Sequence, residues 1–198
     1  MIAALDGSTV VDGRSGALGN ETDAAVLRQM REIADVILVG ARTARDETYG
    51  PPRKAAQRVG VVTASGRVEL DRPLFTSGAG FVVTTEETPI GDPDASVPDI
   101  VRAGVDGVDL VRAISAVDEL CERPETILFE GGPTLNGALL DADVIDEWDI
   151  TTSSRAVGGD GPRLASGARD TMRPFALTQL GVDDDGFLYA RWRRNREL

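Results

Sequence analysis

Short apolar runs that end at a glycine or a polar turn recur along much of the chain. Residues 36–39 are entirely apolar and end at Gly40, a pattern typical of a strand that helices cover on both faces. Residues 59–63, 81–84 and 127–129 repeat this pattern, and residues 2–5 and 108–111 predict two shorter strands. Helical segments lie between these runs, which favours a largely parallel sheet.

Apolar residues at helical spacing predict the elements that connect the strands. Asn20 precedes an apolar stripe at positions 26, 27, 30, 33 and 34, so we expect Asn20 to cap a helix, with Asp23 in the capping-box position. A second helix is predicted over residues 113–121, and residues 41–45 can form a helix or a turn. Pro133 is the expected first residue of a further helix.

The C-terminal part of the chain follows a different pattern. Residues 86–99 and the glycine-rich residues 153–174 predict long loops, and residues 144–152 have strand character. Residues 175–182 and 187–192 flank an Asp-Gly turn and predict an antiparallel hairpin. The pattern therefore predicts an α/β fold, with a mixed, mostly parallel sheet flanked by helices and a C-terminal antiparallel hairpin. The length favours one domain over residues 1–198.

Composition excludes several classes of function. The 198 residues include no histidine and one cysteine, Cys121, which excludes Ser-His-Asp and Cys-His nucleophiles, an internal disulfide and most zinc sites. We assign no metal site, and acid–base chemistry is left to carboxylates, Tyr49, Tyr189 or water. The formal net charge of -12 argues against a nucleic-acid partner. No apolar span could cross a membrane and no signal peptide is evident, so we expect a cytoplasmic protein.

Two features are compatible with an anionic ligand. Gly131 and Gly132 lie between a predicted strand and the helix expected from Pro133, where free amides and the helix dipole suit a phosphate. An ordinary strand-to-helix turn would explain the same residues. Between Arg28 and Arg58, seven basic residues face four acidic ones, an excess of three positive charges. That excess suits a small anion or a solvated basic face.

Four segments follow one another in the order and spacing of one family. They are Ala3-Ala4-Leu5-Asp6-Gly7, Ile37-Leu38-Val39-Gly40-Ala41-Arg42-Thr43, Val61-Val62-Thr63-Ala64-Ser65-Gly66-Arg67 and Phe129-Glu130-Gly131-Gly132-Pro133-Thr134-Leu135-Asn136-Gly137. The chain resembles the reductase domain of the riboflavin-biosynthesis deaminase-reductases, which has a dihydrofolate-reductase-like fold. The resemblance covers Ile2 to about Leu164, and residues 130–135 are its most specific part.

The resemblance implies an oxidoreductase that takes a hydride from NADPH. Its substrate would be a small phosphorylated pyrimidine, 5-amino-6-(5-phosphoribosylamino)uracil or the diamino equivalent, whose ribosylamino group becomes ribitylamino. The cofactor carries the hydride, so the protein need only position two molecules and handle one proton. No histidine is required for this chemistry.

The resemblance also implies which residues bind the cofactor. They are Ala3, Ala17, Thr43, Glu47, Ser65, Arg67, Gly131, Gly132, Pro133, Thr134 and Leu135. Thr43 and the glycine-rich segment would hold the cofactor phosphates, and the two alanines would line the nicotinamide side. Ser65 with Arg67 would face the 2′-phosphate, because a hydroxyl and a guanidinium suit a dianion.

A second set of residues is implied for the substrate. The set is Asp6, Ser15, Arg31, Arg53 and Glu130. The arginines would hold the ribose phosphate, and Asp6 could order a substrate hydroxyl. Glu47 would lie at the boundary between cofactor and substrate, so Glu47 and Glu130 are the two candidates for handling the proton. The sequence does not rank them.

The resemblance leaves the substrate open and adds two structural expectations. No zinc-deaminase signature is present. Ala17 stands where family members carry a bulky residue, and Ala64 stands where a polar residue is common in the family. A reductase of a pteridine or another small heterocycle, and a non-catalytic NADPH-binding regulator, are therefore alternatives. A homodimer is expected, with the C-terminal hairpin as a possible sheet edge. In the dihydrofolate-reductase-like fold the equivalent glycines are joined by a cis peptide, so one is expected between Gly131 and Gly132.

Overall fold

The structure is a computed structural model that describes residues 1–91 and 98–196. Its contacts divide the chain into two compact units. The parallel-sheet unit is Arg28–Gly132, and the hairpin unit combines Met1–Leu27 with Pro133–Leu198. The single domain expected over residues 1–198 stays a prediction.

The described elements alternate between strands and helices, except that β5 follows β4 and that the last three strands follow one another. In chain order they are β1 (Ile2–Ala3), α1 (Glu21–Ile33), β2 (Val36–Gly40), α2 (Ala41–Asp46), β3 (Arg58–Val62), α3 (Pro73–Thr76), β4 (Gly80–Thr84), β5 (Ile100–Arg102), α4 (Leu110–Leu120), β6 (Ile127–Phe129), α5 (Pro133–Ala142), β7 (Glu147–Thr152), β8 (Phe175–Val182) and β9 (Leu188–Arg194).

The parallel-sheet unit contains a five-stranded sheet in the order β5-β4-β3-β2-β6, with every pair parallel. Successive side chains of β2 point to opposite faces of the sheet. Val36 and Leu38 join the buried cluster that includes Phe81, whereas Ile37 and Val39 pack in a separate cluster with Leu74. The prediction of a central strand covered on both faces is therefore confirmed.

The hairpin unit contains a four-stranded sheet in the order β1-β7-β9-β8. Strand β1 pairs in parallel with β7, and the other pairs are antiparallel. The predicted C-terminal hairpin is confirmed, and its turn is held by Asp183, whose Oδ1 accepts hydrogen bonds from the amides of Phe187 at 2.9 Å and Asp185 at 3.1 Å. The predicted α/β class, with a mostly parallel sheet and an antiparallel hairpin, is confirmed, although the strands divide between two sheets.

Capping residues explain where the helices begin. The Asn20 side chain accepts a hydrogen bond from the Asp23 amide at 2.9 Å, so the predicted cap of α1 is confirmed. Asp109 accepts a hydrogen bond from the Arg112 amide at 3.1 Å and starts α4 at Leu110. The prediction of a strand over residues 108–111 is therefore wrong, and the strand in this region is β5.

Other boundaries also differ from the prediction. Strand β1 ends at Ala3, because the Ala4 amide donates to the Ser8 carbonyl at 2.8 Å and the chain turns. The short helix α3 begins with Pro73, a residue favoured at a first helical position, and was not predicted. Residues 92–97 of the predicted loop over 86–99 lie outside the described residues.

Candidate functional site

A buried carboxylate dominates the carboxyl end of the parallel sheet. Glu130 directly follows β6, and its amide donates to the Leu38 carbonyl of β2 at 2.9 Å. Its side chain is only 3% exposed. Oε1 accepts from Arg31 Nε and Oε2 from Arg31 Nη2, each at 2.5 Å, which is the two-pronged geometry of a strong arginine–carboxylate pair. The structure thus joins two predicted site residues that are far apart in sequence.

Tyr49 completes this group, which we call the Glu130 cluster (Arg31, Tyr49 and Glu130). The Tyr49 hydroxyl donates to Oε2 of Glu130. The Tyr49 ring lies against the guanidinium of Arg31, with Cζ 5.3 Å from the ring centroid. Burial, reinforced by the negative charge of Glu130, raises the pKa of Tyr49 well above its ordinary value. The hydroxyl therefore stays protonated and remains a donor at neutral pH.

Arg31 belongs to the last turn of α1, and its main chain is held as firmly as its side chain. The buried amide of Gln57 donates to the carbonyl of Arg31 at 2.7 Å and to that of Ala34 at 2.6 Å. Lys54 Nζ donates to the Ala34 carbonyl at 2.8 Å. These donors satisfy carbonyls that a helix end leaves free. The hydrogen bond to Glu130 raises the pKa of Arg31, and 40% of the side chain stays exposed.

The two glycines after Glu130 turn the chain without a cis bond. The expectation of a cis peptide between Gly131 and Gly132 is wrong, since no cis peptide bond occurs among the residues described. Instead both residues have positive φ angles, 88° and 82°, a region that glycine enters without a Cβ penalty. The Gly131 carbonyl still accepts from the Gly40 amide at 2.9 Å, so the turn keeps its pairing with β2.

Thr43 in α2 lies next to Gly132, and the resemblance implies that both residues hold the cofactor phosphates. A Cβ atom on Gly132 would stand 2.8 Å from Thr43 Oγ1, so only glycine leaves this space open. The threonine hydroxyl therefore lies beside the glycine backbone with no side chain between them. Hydroxyl and amide donors are the groups that hold phosphate oxygens closely.

The remaining predicted residues of the parallel-sheet unit are exposed. Ser65 and Arg67 lie in the loop after β3, where Thr63 Oγ1 accepts from the amides of Ser65 at 3.3 Å and Gly66 at 3.1 Å. Glu47 is the exposed C-cap of α2, and Arg53 is exposed in the loop before β3. The structure therefore brings Arg31 to Glu130 and Thr43 to Gly132, and leaves these four at the surface of the unit.

The predicted residues of the hairpin unit lie along one loop-rich region. Ala3 ends β1 and is buried, and Ala17 is exposed, with its carbonyl accepting from Arg155 Nη1 at 2.9 Å. Asp6 accepts from the amides of Gly158 at 2.8 Å and Val157 at 3.3 Å. The Gly158 amide in particular lowers the pKa of Asp6. Ser15 is half-buried in the loop between β1 and α1.

Helix α5 begins at Pro133, as predicted, and Thr134 and Leu135 form its first turn. The long loop over residues 153–174 packs on this helix. The Ser166 amide donates to the Pro133 carbonyl at 2.9 Å, and Asn136 Nδ2 donates to the Leu164 carbonyl at 2.7 Å. The loop is confirmed as irregular structure, and these bonds fix it to the helix that follows the two glycines.

Two residues that hold this site together were not predicted as site residues. Tyr49 appeared only as one of several acid–base candidates, and Gln57 was not identified. The signal for Tyr49 was weak: the chain has two tyrosines, and this one lies within the basic stretch between Arg28 and Arg58. Among the described residues, no group of three or more His, Cys, Asp or Glu side chains could hold a metal ion. In the same part of the chain, no helix is long and apolar enough to cross a membrane.

Comparison with known proteins identifies one family. The family model described as the RibD C-terminal domain matches residues 1–187. A curated 2,5-diamino-6-ribosylamino-4(3H)-pyrimidinone 5′-phosphate reductase from Methanothermobacter thermautotrophicus is 27% identical over 169 residues, which covers 78% of this chain and 76% of that protein.

Solved structures share the fold. A pyrimidine reductase-like protein from Corynebacterium diphtheriae matches with a TM-score of 0.83 and 24% identity, over 99% of this chain and 90% of that one. A dihydrofolate reductase from Enterococcus faecalis matches with a TM-score of 0.56 and 13% identity, over 98% of this chain and 93% of that one. The dihydrofolate-reductase-like fold expected from the sequence is therefore confirmed.

Proposed function

The chain belongs to the RibD C-terminal domain family and is an oxidoreductase, and we propose that it uses NADPH to reduce a phosphorylated pyrimidine in riboflavin biosynthesis, in the cytoplasm. The substrate is 5-amino-6-(5-phosphoribosylamino)uracil or its diamino equivalent. Its ribosylamino group becomes ribitylamino. The Methanothermobacter relative, whose name specifies a ribosylamino pyrimidinone 5′-phosphate, supports this substrate class.

The observation that carries the proposal is the fixed guanidinium of Arg31. Two of its nitrogens are committed to a buried carboxylate, while 40% of the side chain faces solvent. An arginine held in this way presents a positive charge at a defined position, which suits a phosphate group. Arg53, exposed on the neighbouring loop, is the second arginine that we assign to the phosphate. Ser15 and Asp6 are assigned to the rest of the substrate.

The residues present fit a dinucleotide with an extra phosphate. We assign its pyrophosphate to Thr43, Gly131, Gly132 and residues 133–135, because Gly132 has no Cβ that would stand 2.8 Å from the threonine hydroxyl. Ser65 and Arg67 are assigned to the 2′-phosphate, which distinguishes NADPH from NADH. Ala3 and Ala17 are assigned to the nicotinamide side. When bound, NADPH supplies the hydride.

The two candidate carboxylates differ in their surroundings, and this difference ranks them. The Glu130 side chain is 3% exposed, and both of its oxygens accept hydrogen bonds from Arg31 or Tyr49. Glu47 is exposed at the end of α2. We therefore assign the proton to Glu47, which would stabilise the protonated imine of the opened ribosylamine, and a structural role to Glu130.

A substrate panel tests the proposed function. The purified chain is mixed with NADPH and, separately, with the two phosphoribosylamino pyrimidines and a dihydropteridine, and NADPH consumption is followed. Turnover with a pyrimidine supports the proposal. Turnover with the pteridine alone, or NADPH binding without any turnover, contradicts it in favour of one of the two alternatives. Glu47→Gln should lower kcat about 100-fold, whereas Asp46→Asn, the matched carboxylate change on the same helix, should leave kcat within twofold of the unaltered protein.

The proposal extends to a homodimer of single-domain chains. Strand β8 is an edge strand of its sheet, and Leu177, Leu180 and Val182 on it are exposed. Exposed apolar edges favour pairing with another strand. Light scattering of the purified chain should give twice the chain mass, and Leu180→Lys should shift it to the monomer mass. A monomer in the unaltered protein contradicts this part of the proposal.

A further inference from the structure

We propose that Tyr49 is a positioning residue for the anionic group of the substrate: through Glu130 it holds the guanidinium of Arg31 in the orientation that binds phosphate. This inference rests on the proposed function, because it gives a role at the same site to a residue that the resemblance does not include.

Tyr49 restrains the arginine in two ways. Its hydroxyl donates to the same Glu130 oxygen, Oε2, that accepts from Arg31 Nη2. The carboxylate can then rotate only by breaking a bond to each partner. The tyrosine ring also lies 5.3 Å from Arg31 Cζ and packs against the guanidinium. The guanidinium is thus restrained along one edge by Glu130 and on one face by Tyr49.

The main chain of both residues is fixed independently of this contact. The Tyr49 amide donates to the Ala44 carbonyl at 2.9 Å, directly after the turn at Thr48, whose φ is 54°. The Arg31 carbonyl accepts from Gln57 at 2.7 Å. Tyr49 and Arg31 therefore approach Glu130 from two anchored segments. Removing the tyrosine hydroxyl should loosen the side chains of the Glu130 cluster and leave the backbone in place.

A restrained arginine binds an anion more tightly than a mobile one, because less conformational freedom is lost on binding. Burial and the charge of Glu130 raise the pKa of Tyr49, so the hydroxyl donates throughout the working range of pH. The effect of the Tyr49 hydroxyl on phosphate affinity should therefore be constant across the neutral pH range. The hydroxyl should affect binding of the substrate phosphate and leave binding of the cofactor unchanged.

The test uses Tyr49→Phe, which keeps the ring and deletes the hydroxyl. Calorimetric titration with ribose 5-phosphate measures phosphate binding without any reaction, and titration with NADPH measures the cofactor site. We expect the Kd for ribose 5-phosphate to rise about three- to tenfold, the range of one hydrogen bond. The Kd for NADPH should stay within twofold. In turnover, KM for the phosphorylated substrate should rise and kcat should stay within twofold.

Tyr189→Phe is the matched control. The Tyr189 hydroxyl also donates to a carboxylate, Asp183 Oδ2, at 2.8 Å, but it belongs to the hairpin unit. Its loss should leave both Kd values within twofold. If Tyr189→Phe weakens ribose 5-phosphate binding as much as Tyr49→Phe, the effect is general and the inference fails.

A double-variant cycle separates positioning from general destabilisation. Arg31→Lys keeps the charge but removes the two-pronged contact, and it should weaken ribose 5-phosphate binding by itself. Adding Tyr49→Phe to Arg31→Lys should then change the Kd by less than twofold, because the hydroxyl acts through the guanidinium. If the losses of ribose 5-phosphate affinity in the two single variants add in the double variant, the inference is overturned. An unchanged Kd in Tyr49→Phe would also overturn it, as would the absence of ribose 5-phosphate binding by the unaltered protein. Binding that depends on Tyr49 without pyrimidine turnover would sustain the inference and refute the proposed function alone.

Discussion

Replacing Glu130 with glutamine removes one charge from the centre of the candidate site and changes its shape very little. The carboxylate accepts from Arg31 Nε, Arg31 Nη2 and Tyr49 Oη. Glutamine offers one oxygen and one NH₂ group. At least one of the three donors would then face another donor, and the remaining hydrogen bonds would lose the negative charge of their acceptor.

The expected cost follows from the burial of the two partners. Breaking a fully buried ion pair by neutralising one member costs about 3–5 kcal/mol. Glu130 meets that condition at 3% exposure, but Arg31 is 40% exposed and can turn its charge toward water. Solvent screening of the arginine places Glu130→Gln lower, at a loss of about 2–3 kcal/mol in the free energy of unfolding. Tyr49→Phe removes one hydrogen bond and should cost about 1 kcal/mol.

Urea denaturation followed by circular dichroism measures this loss. With an m value of about 2 kcal/mol per molar urea, the midpoint for Glu130→Gln should fall by about 1 M or slightly more. The matched control is Glu125→Gln, which makes the same chemical change at an exposed residue of the same unit. The control should lie within about 0.5 kcal/mol of the unaltered protein.

The reasoning fails if Glu130→Gln and Glu125→Gln unfold at the same urea concentration. Such a result would mean that the contacts in the Glu130 cluster do not restrain the folded state. It would also remove the basis for treating Arg31 as a fixed cation.

Three further predictions concern the two tyrosines, the turn at Gly132 and the residues assigned to the 2′-phosphate. Burial and a neighbouring carboxylate raise the pKa of both tyrosines in the chain, that of Tyr189 to about 12. Alkaline titration of the folded protein should therefore show no phenolate near pH 10, where the tyrosines of the urea-denatured chain ionise. The stabilisation linked to the raised tyrosine pKa values is complete below about pH 10 and is lost as the pH rises through the pKa values of the folded state. Phenolate absorbance near pH 10 in the folded protein would contradict this prediction. Gly132→Ala puts a Cβ on a residue whose φ is 82°, at 2.8 Å from Thr43 Oγ1. Thermal unfolding should therefore show a loss of about 1–2 kcal/mol in the free energy of unfolding. An unchanged Tm would refute the close approach of Gly132 to Thr43. Arg67→Ala should raise KM for NADPH about tenfold and leave KM for NADH unchanged, and equal changes for both cofactors would remove Arg67 from the 2′-phosphate site.

The sequence predicted the fold well where a single local signal was strong. The apolar run of β2 ends at a glycine, a pattern typical of a strand buried on both faces, and Asn20 is among the best residues for capping a helix. The segment over residues 108–111 was ambiguous, because its three apolar residues, interrupted by Asp109, fit a strand or the first turn of a helix. Asp109 decided it, since its side chain caps the Arg112 amide.

The candidate site was predictable only in part. The resemblance pointed to both Arg31 and Glu130, and the parallel pairing of β2 with β6 explains why Glu130 lies beside the carboxyl end of β2. The contact between Tyr49 and Glu130 depends on the path of the loop after α2, which no periodicity encodes. The peptide bond between Gly131 and Gly132 is another such detail: the family suggested cis, whereas two positive φ angles make the turn.

A deuterium label shows whether the hydride passes from NADPH to the pyrimidine substrate. The chain is given NADPH that carries deuterium at the transferred position of the nicotinamide, together with 5-amino-6-(5-phosphoribosylamino)uracil, and the product is analysed by mass spectrometry. We expect a ribitylamino product with deuterium on the former C1′ carbon of the ribose. An unlabelled product, or recovery of the substrate unchanged while NADPH is bound, would contradict the assignment of this chain as a pyrimidine reductase.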